Sequence, residues 1–335
     1  REFGMSHIRL QTPRAAAARG RTTTVGVGVN VERNDEGLRV RSVADRSPAK
    51  ESGLEAGDVI VSVNGEKPTG QEVLQKEAGE KLSMQVKKAN GEIKEIEIEA
   101  KEYSTVREEA LTWIDDETAM LRVFTFSAGY EREVIEKHMQ EARKAKYLIL
   151  DLRSNGGGAV SNLNHLLSLL LPDRTPIGVF LSRRVVDEFV KQNPEAEINA
   201  VEIAKNSSSI SRTRKLRVEP FEGKIAVLIN RGSASASEIA AAALKEQAGA
   251  VLVGQRTAGA VLASTFVRLK QGFSIQIPTS DFVTAKGTRL ERNPLVPDAE
   301  ITARPNEEGD PVVKKAVELL KQSKTQEKKD DRQAA

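Results

Sequence analysis

The 335-residue sequence predicts two folded units in series, a small α+β unit over residues 23–102 and a larger α/β unit over 103–321. Three observations carry this. The length exceeds one ordinary domain of roughly 100–200 residues. Between Thr24 and Glu102, short alternating runs are punctuated by Gly, Pro and Asn-Gly, the pattern of strands joined by tight turns. From Ala119 onward, wholly apolar runs alternate with amphipathic or Ala-rich stretches, as in strands covered by helices on both faces.

Ahead of these units, residues 1–22 are rich in Arg, Ala and Thr without a period and read as a flexible leader, with Arg1-Glu2-Phe3-Gly4 before Met5 resembling a cloning remnant. The first unit opens on Val25-Gly26-Val27-Gly28-Val29, followed by the half-buried strand Leu38–Val43. Ser47 then caps a short helix with Pro48 at its first position. After Ala56-Gly57-Asp58 comes the strand Val59–Val63, which closes on the Asn64-Gly65 turn. A helix around Gln71–Glu80 and strands at Leu82–Lys87 and Ile93–Ile98 complete the unit.

The words Ser47-Pro48-Ala49, Gly57-Asp58-Val59-Ile60 and Val63-Asn64-Gly65, in this order of elements, resemble a PDZ domain. The resemblance implies that Gly26, Val27, Gly28 and Val29 offer backbone N–H groups to a ligand's terminal carboxylate while the peptide adds as a strand. A strand bend would also account for the two glycines.

In the second unit, Ala119–Phe126 reads as a strand, Glu131–Lys146 as a charged helix, and Tyr147–Leu152 as a central strand apolar on both faces. Gly156-Gly157-Gly158 follows, before a helix over Val160–Leu171. Such a turn can aim backbone N–H groups at a bound oxygen, or be a tight turn and nothing more. The buried strand Ile225–Asn230 runs through Gly232 into Ser233-Ala234-Ser235-Ala236-Ser237-Glu238 and an Ala-rich helix. Serines before a helix are favoured as N-caps, but three at alternate positions exceed what one cap needs. A nucleophile at a strand–turn–helix junction is the other reading.

Leu150–Gly158, Asn230–Glu238 and Val253-Gly254-Gln255-Arg256-Thr257, behind a PDZ-like unit, together resemble the C-terminal processing (tail-specific) serine peptidases. Pro297-Asp298 and a final helix Val312–Leu320 fit the same pattern. The resemblance implies a Clp-protease/crotonase-like peptidase core, no cofactor or metal, and a bacterial, periplasmic or otherwise extracytoplasmic setting. It implies Ser235 as nucleophile, Ser233 and Ser237 as its supports, and an oxyanion hole from the N–H groups of Gly157 and Ala236. Partners are expected to be protein or peptide substrates with exposed C-termini, and a homo-oligomer is compatible with the family.

One departure bears on the chemistry. Where the family has Thr-Phe-Gly-Lys and then a glutamine, this sequence has Thr257-Ala258-Gly259-Ala260 and Ser264. A serine hydroxyl needs a base, and Ala260, at the lysine position, cannot supply one. Lys245 lies about 15 Å up the helix from Ser235. His165 in a Leu-rich helix reads as packed, His138 as exposed, and Lys270 and Lys286 are not placed by the sequence. Two expectations therefore stand: a peptidase with another base, or an impaired relative that binds C-terminal peptides.

Composition bounds the rest. With 51 basic against 48 acidic residues, interleaved, no footprint for nucleic acid stands out. The lack of cysteine excludes disulfides, thiolate catalysis and Cys-based zinc sites. No run is long enough for a membrane span, and the N-terminus lacks the apolar middle of a signal peptide. Residues 322–335 are expected to be disordered, ending in Gln333-Ala334-Ala335, which a PDZ groove could accept.

Overall fold

The computed structural model describes residues 5–303, 305–307 and 309–333, with backbone alone for 323–333. Two compact units result: Gly20–Arg107, and a larger one formed by Arg1–Arg19 with Glu108–Ala335. The smaller unit is thus an insertion in the chain path of the larger.

The segment read as a flexible leader is instead built into the larger unit. Its strand β1 (Arg9–Gln11) pairs antiparallel with the long strand Ser274–Thr284. A helix α1 (Pro13–Ala18) follows, with Thr12 Oγ1 accepting from Ala15 N at 3.4 Å and Pro13 in its first turn. Backbone pairing asks little of side chains, so a three-residue edge strand leaves no periodic signature.

In the smaller unit the strands are β2 (Thr23–Gly26), β3 (Val29–Arg33), β4 (Leu38–Val43), β5 (Val59–Val63), β6 (Lys81–Lys87), β7 (Ile93–Glu99) and β8 (Lys101–Ser104), with α2 (Pro48–Glu51) between β4 and β5. They form an antiparallel sheet in the order β3-β4-β5-β6-β7 and a separate β2-β8 ribbon. Leu38, Ile60, Leu82 and Met84 fill its core, each 1% exposed or less. Asn64 and Gly65 take positive φ (51° and 85°), the conformation an Asn-Gly turn favours. Ser47 Oγ accepts from Lys50 N at the start of α2. The helix expected over Gln71–Glu80 is only a 3-10 turn, Gln71–Leu74. Beyond Leu74 the stretch Gln75-Lys76-Glu77-Ala78-Gly79-Glu80 has no apolar face to bury, and Gly79 sits at φ 88°.

The larger unit continues with β9 (Ala110–Asp115), β10 (Thr118–Arg122), α3 (Arg132–Ala142), β11 (Tyr147–Asp151), α4 (Val160–Ser168), β12 (Pro176–Ser182), α5 (Arg183–Gln192), α6 (Ala200–Lys205) and β13 (Ile210–Arg212). Then come β14 (Lys224–Ile229), α7 (Ala236–Ala248), β15 (Val251–Gly254), β16 (Ala263–Arg268), β17 (Ser274–Thr284), β18 (Ala299–Glu300) and α8 (Pro311–Gln333). One sheet runs β18-β15-β14-β11-β10-β9, parallel except for β9. A second, antiparallel sheet joins β1, β17, β12 and β13, with β16 against β17.

All five residues of β11 are buried, and their alternation serves two cores. Leu148 and Leu150 join the cluster containing Ile135, Leu163 and Ala240 from α3, α4 and α7. Tyr147 and Ile149 face the other way, with Val312 and Ala316 of α8. Where the sequence suggested disorder from residue 322, α8 runs to Gln333. No Gly or Pro follows Pro311 to stop it, and Lys, Gln and Glu are good helix formers. Ala334 and Ala335 lie outside the described residues.

Candidate active site

Strands β11, β14 and β15 are parallel neighbours, so the loops leaving their C-terminal ends converge on one edge of the sheet. These loops carry Gly156–Gly158, Ser233–Ser235 and Thr257–Ala260 respectively.

Ser235 caps α7 at φ 56°, ψ −119°, a conformation a non-glycine residue adopts at a cost of about 1–3 kcal/mol. Its N–H holds the strain in place by donating to Ala260 O at 2.8 Å and Glu238 Oε2 at 3.2 Å. The flanking serines act as staples. Ser233 Oγ donates to Leu152 O at 2.8 Å, and Ser237 Oγ donates to Asn155 O at 2.8 Å, so both tie the serine loop to the end of β11 and its turn.

Glu238 organises the third loop. Its Oε1 accepts from Thr257 Oγ1 (2.5 Å) and Gly259 N (2.8 Å), and its Oε2 from Ala260 N (2.9 Å) and Ser235 N. Burial holds its carboxyl above the usual range despite these four donors. Ala260 therefore meets Ser235 through its carbonyl, and its methyl group offers no proton acceptor. Ser264 Oγ accepts from Gln276 Nε2 at 2.8 Å.

Gly157 lies where only glycine fits. At φ 91°, an added Cβ would stand 2.7 Å from Ser235 Cβ and 3.0 Å from Ala236 N. That proximity brings the glycine turn to the first N–H of α7. In this structure the Gly157 N–H donates to Oδ1 of the fully buried Asn155 at 2.9 Å, while Asn155 Nδ2 donates to Val123 O.

A cavity of about 550 Å³ opens in front of Ser235, lined among others by Gly157, Phe180, Leu262, Gln276 and His7. His7 carries no motif or period in the sequence, because it sits in the N-terminal stretch that lacks one. Its Nδ1 is 2.7 Å from Ser6 Oγ, and that hydroxyl donates to Glu291 Oε2 at 2.8 Å. Ser6 N and Val261 N also donate to Glu291, each at 2.9 Å. Burial pushes the Glu291 carboxyl up, but these hydrogen bonds outweigh it and hold it below its ordinary value. With its single proton given to Glu291, the Ser6 oxygen accepts from His7 Nδ1–H, which leaves Nε2 with the free lone pair. Burial lowers the His7 pKa, opposed in part by the Glu291 charge. The only advance signal was that Ser6-His7 holds one of just three histidines in the chain.

The other weighed bases are engaged or elsewhere. His165 lies between Tyr130 Oη (2.9 Å) and Glu136 Oε1 (3.0 Å), His138 Nε2 meets Glu109 O (3.2 Å), and Lys245 pairs with Asp298 at 2.5 Å. Lys270 and Lys286 are exposed and do not line the Ser235 cavity. In the smaller unit, Gly26 ends β2, Val27 and Gly28 form the loop, and Val29 starts β3, which is an edge strand. Gly28 has φ 87°, and a Cβ there would fall 2.0 Å from Ser47 Cβ, so this glycine serves packing. Among the described residues no group of three His, Asp or Glu side chains is placed to hold a metal ion.

The family model described as "Peptidase family S41" matches residues 117–301, and that described as "PDZ domain" matches 25–100. The chain is 26% identical over 303 residues to a carboxyl-terminal-processing protease of Synechocystis sp., covering 85% of this chain and 64% of that one. It is 25% identical over 283 residues to the carboxy-terminal processing protease CtpA of Bacillus subtilis, covering 82% and 55%. It thus spans less than two thirds of the length of these curated relatives. Among solved structures, the photosystem II D1 C-terminal processing protease matches with a TM-score of 0.50 at 23% identity, covering 90% of this chain and 80% of that one. A protein assigned as an S41 protease of Bacteroides fragilis matches with a TM-score of 0.57 at 17% identity, covering 83% and 76%. These likenesses establish a shared mixed α/β fold.

Proposed function

We propose that this chain, which belongs to peptidase family S41 and carries a PDZ domain, hydrolyses peptide bonds with Ser235 as nucleophile and His7 as general base. The observation that carries the reading is the shared cavity, lined both by Ser235 and by a histidine oriented by Ser6 and Glu291.

In this reading His7 Nε2 takes the Ser235 Oγ proton as the oxygen attacks the substrate carbonyl. The tetrahedral intermediate places its negative oxygen by the Ala236 N–H at the start of α7 and by the Gly157 N–H, which turns from Asn155 to serve. The imidazolium then protonates the departing amine, and a water repeats the sequence on the acyl-enzyme. Glu291, acting through the Ser6 hydroxyl, stabilises the imidazolium and fixes its tautomer. A base arriving on the N-terminal segment removes the need for a lysine at position 260.

The PDZ unit supplies the second half of the proposal. A substrate's C-terminal segment adds as a strand to the free edge of β3, with its carboxylate at the loop Gly26–Val29. Substrates are then proteins with accessible C-termini.

A second reading, a peptide-binding relative with little turnover, is favoured by Ala260 and by the engagement of the Gly157 N–H with Asn155. The deciding experiment is hydrolysis of an unstructured protein with an apolar C-terminus by the parent chain, Ser235→Ala, His7→Ala and Ala260→Lys. Loss of cleavage in both Ser235→Ala and His7→Ala supports the dyad. Unchanged rates in His7→Ala sink it, and an inactive parent rescued by Ala260→Lys establishes the second reading.

A further inference from the structure

A second concavity, of about 490 Å³, lies elsewhere on the larger unit and is lined by Arg174, Arg212, Arg214 and Lys215 with one acidic residue, Asp173. All four cations are exposed, and among the described residues none has an ion-pair partner. Four cations against one carboxylate leave an excess of positive charge in the hollow, which favours an anionic occupant.

The backbone that carries the array is preformed. Arg212 Nη1 donates to Arg174 O at 3.0 Å, and Arg214 N donates to Ser168 Oγ at 2.9 Å. Thr213, 2% exposed, donates its hydroxyl to Pro172 O at 2.6 Å and accepts from Thr175 N at 2.8 Å. A ligand therefore meets fixed backbone beneath the charges and orders only the side-chain tips.

Helix α4 links this hollow to the Ser235 cavity. Val160, its first residue, lines the Ser235 cavity, while Asn164 lines the basic one, four residues or about 6 Å further along the helix. The Asn164 side-chain oxygen has no hydrogen-bond partner. An extended peptide advances about 3.3 Å per residue, so the step from Val160 to Asn164 corresponds to roughly two residues of a chain that leaves the Ser235 cavity past Val160.

We propose that this hollow binds an acidic segment of the peptide held at Ser235, and so selects substrates with Asp or Glu a few residues from the scissile bond. The inference rests on the peptidase reading for its choice of occupant. A nucleic acid fits less well, because no aromatic side chain lines the hollow to stack on a base.

The test uses the full chain with Ser235→Ala and fluorescence anisotropy of labelled peptides that share an apolar segment. Three Glu or three Gln are placed two to five residues to either side. Tighter binding of one Glu peptide by about fivefold is expected, declining with salt and abolished in Arg214→Gln/Lys215→Gln. The same neutralisation at Lys137 and Lys191, exposed cations outside the hollow, should leave the preference intact.

Equal binding of Glu and Gln peptides in both placements, measurable or not, overturns the proposal. So does a preference that survives the Arg214/Lys215 change or is lost equally in the Lys137/Lys191 control. A labelled single-stranded oligonucleotide that binds through Arg214 and Lys215 while the peptides show no preference assigns the hollow to nucleic acid instead. Hydrolysis by the Ser235 chain is scored separately. A Glu preference without any cleavage refutes the peptidase reading alone, and cleavage without a preference refutes the acidic-segment site alone.

Discussion

His7 and Ser235 are 228 positions apart, yet they line one cavity, and the partnership proposed for them sets the sharpest expectations at the level of single residues. His7→Ala should lower kcat/KM by about 10³-fold or more, as removal of a general base from a serine peptidase does. Because burial depresses the His7 pKa from 6.5, kcat/KM should rise with pH as the ring loses its proton, with a midpoint below that value. In Glu291→Gln the carboxylate that favours the charged ring is gone, so the midpoint should move lower still while the rate falls. A pH–rate profile of the three chains reads both effects, and an unshifted midpoint in Glu291→Gln would remove the Ser6–Glu291 link from the mechanism. As a candidate, Ser235 could be singled out in the sequence because alternating serines at a strand–helix junction are an unusual local pattern, while its role as nucleophile came only with the family resemblance. His7 was not, because its ties are a three-residue strand and hydrogen bonds to Glu291, 285 positions away for Ser6, neither of which leaves a local pattern.

Among the elements, the junction of α7 with the loop after β15 depends on one buried side chain. Replacing Glu238 with Ala strips acceptors from Thr257, Gly259, Ala260 and the Ser235 N–H together. Destabilisation on the order of 3–5 kcal/mol is expected in urea unfolding, with a larger relative loss of cleavage because the strained Ser235 backbone loses a tether. Glu109, just before β9, presents the opposite case. It is 5% exposed, its Oε1 lacks a partner, and burial raises its carboxyl to about 7, with the Glu131 charge adding to the rise. The neighbouring Tyr130 hydroxyl is itself pushed up by burial, and His138 contacts only the Glu109 carbonyl. A raised carboxyl means the folded state holds the proton more tightly than the unfolded chain. Its contribution is fully present below about 4.5 and is lost as pH rises through about 7. Glu109→Gln should therefore lose less thermal stability than the parent between pH 5 and pH 8. An identical pH dependence in the two chains would show that Glu109 is solvated. Strands such as β5 and the Ser47 cap were legible because period and capping chemistry are local. The missing helix after Gln71 was misread because helix-forming residues were present without an apolar face to hold them.

At the scale of the whole molecule, the order of domains was legible, but the insertion was not. Residues 5–19 belong with the unit that begins again at Glu108, and only strand pairing across the chain reveals this. The ends of the inserted unit lie together, because β2 and β8 pair with Thr23 opposite Ser104 and Thr105 N donates to Thr22 O at 2.8 Å. Its core draws only on residues between Val27 and Ala100, and the other three hydrophobic clusters draw on none of them. Neither core needs the other to close. A chain with Gly20–Arg107 replaced by a Gly/Ser linker of about eight residues, reaching at most about 28 Å, should fold the larger unit cooperatively and keep β1 on β17. It should cleave a short unstructured peptide through Ser235 at a rate within about tenfold of the parent chain, since every residue lining the cavity is retained. A preference for substrates with free over amidated C-termini should disappear, because the loop Gly26–Val29 and the edge of β3 are gone. Retention of that preference would place C-terminal recognition in the larger unit, and failure of the linked chain to unfold cooperatively would show that the two cores depend on each other.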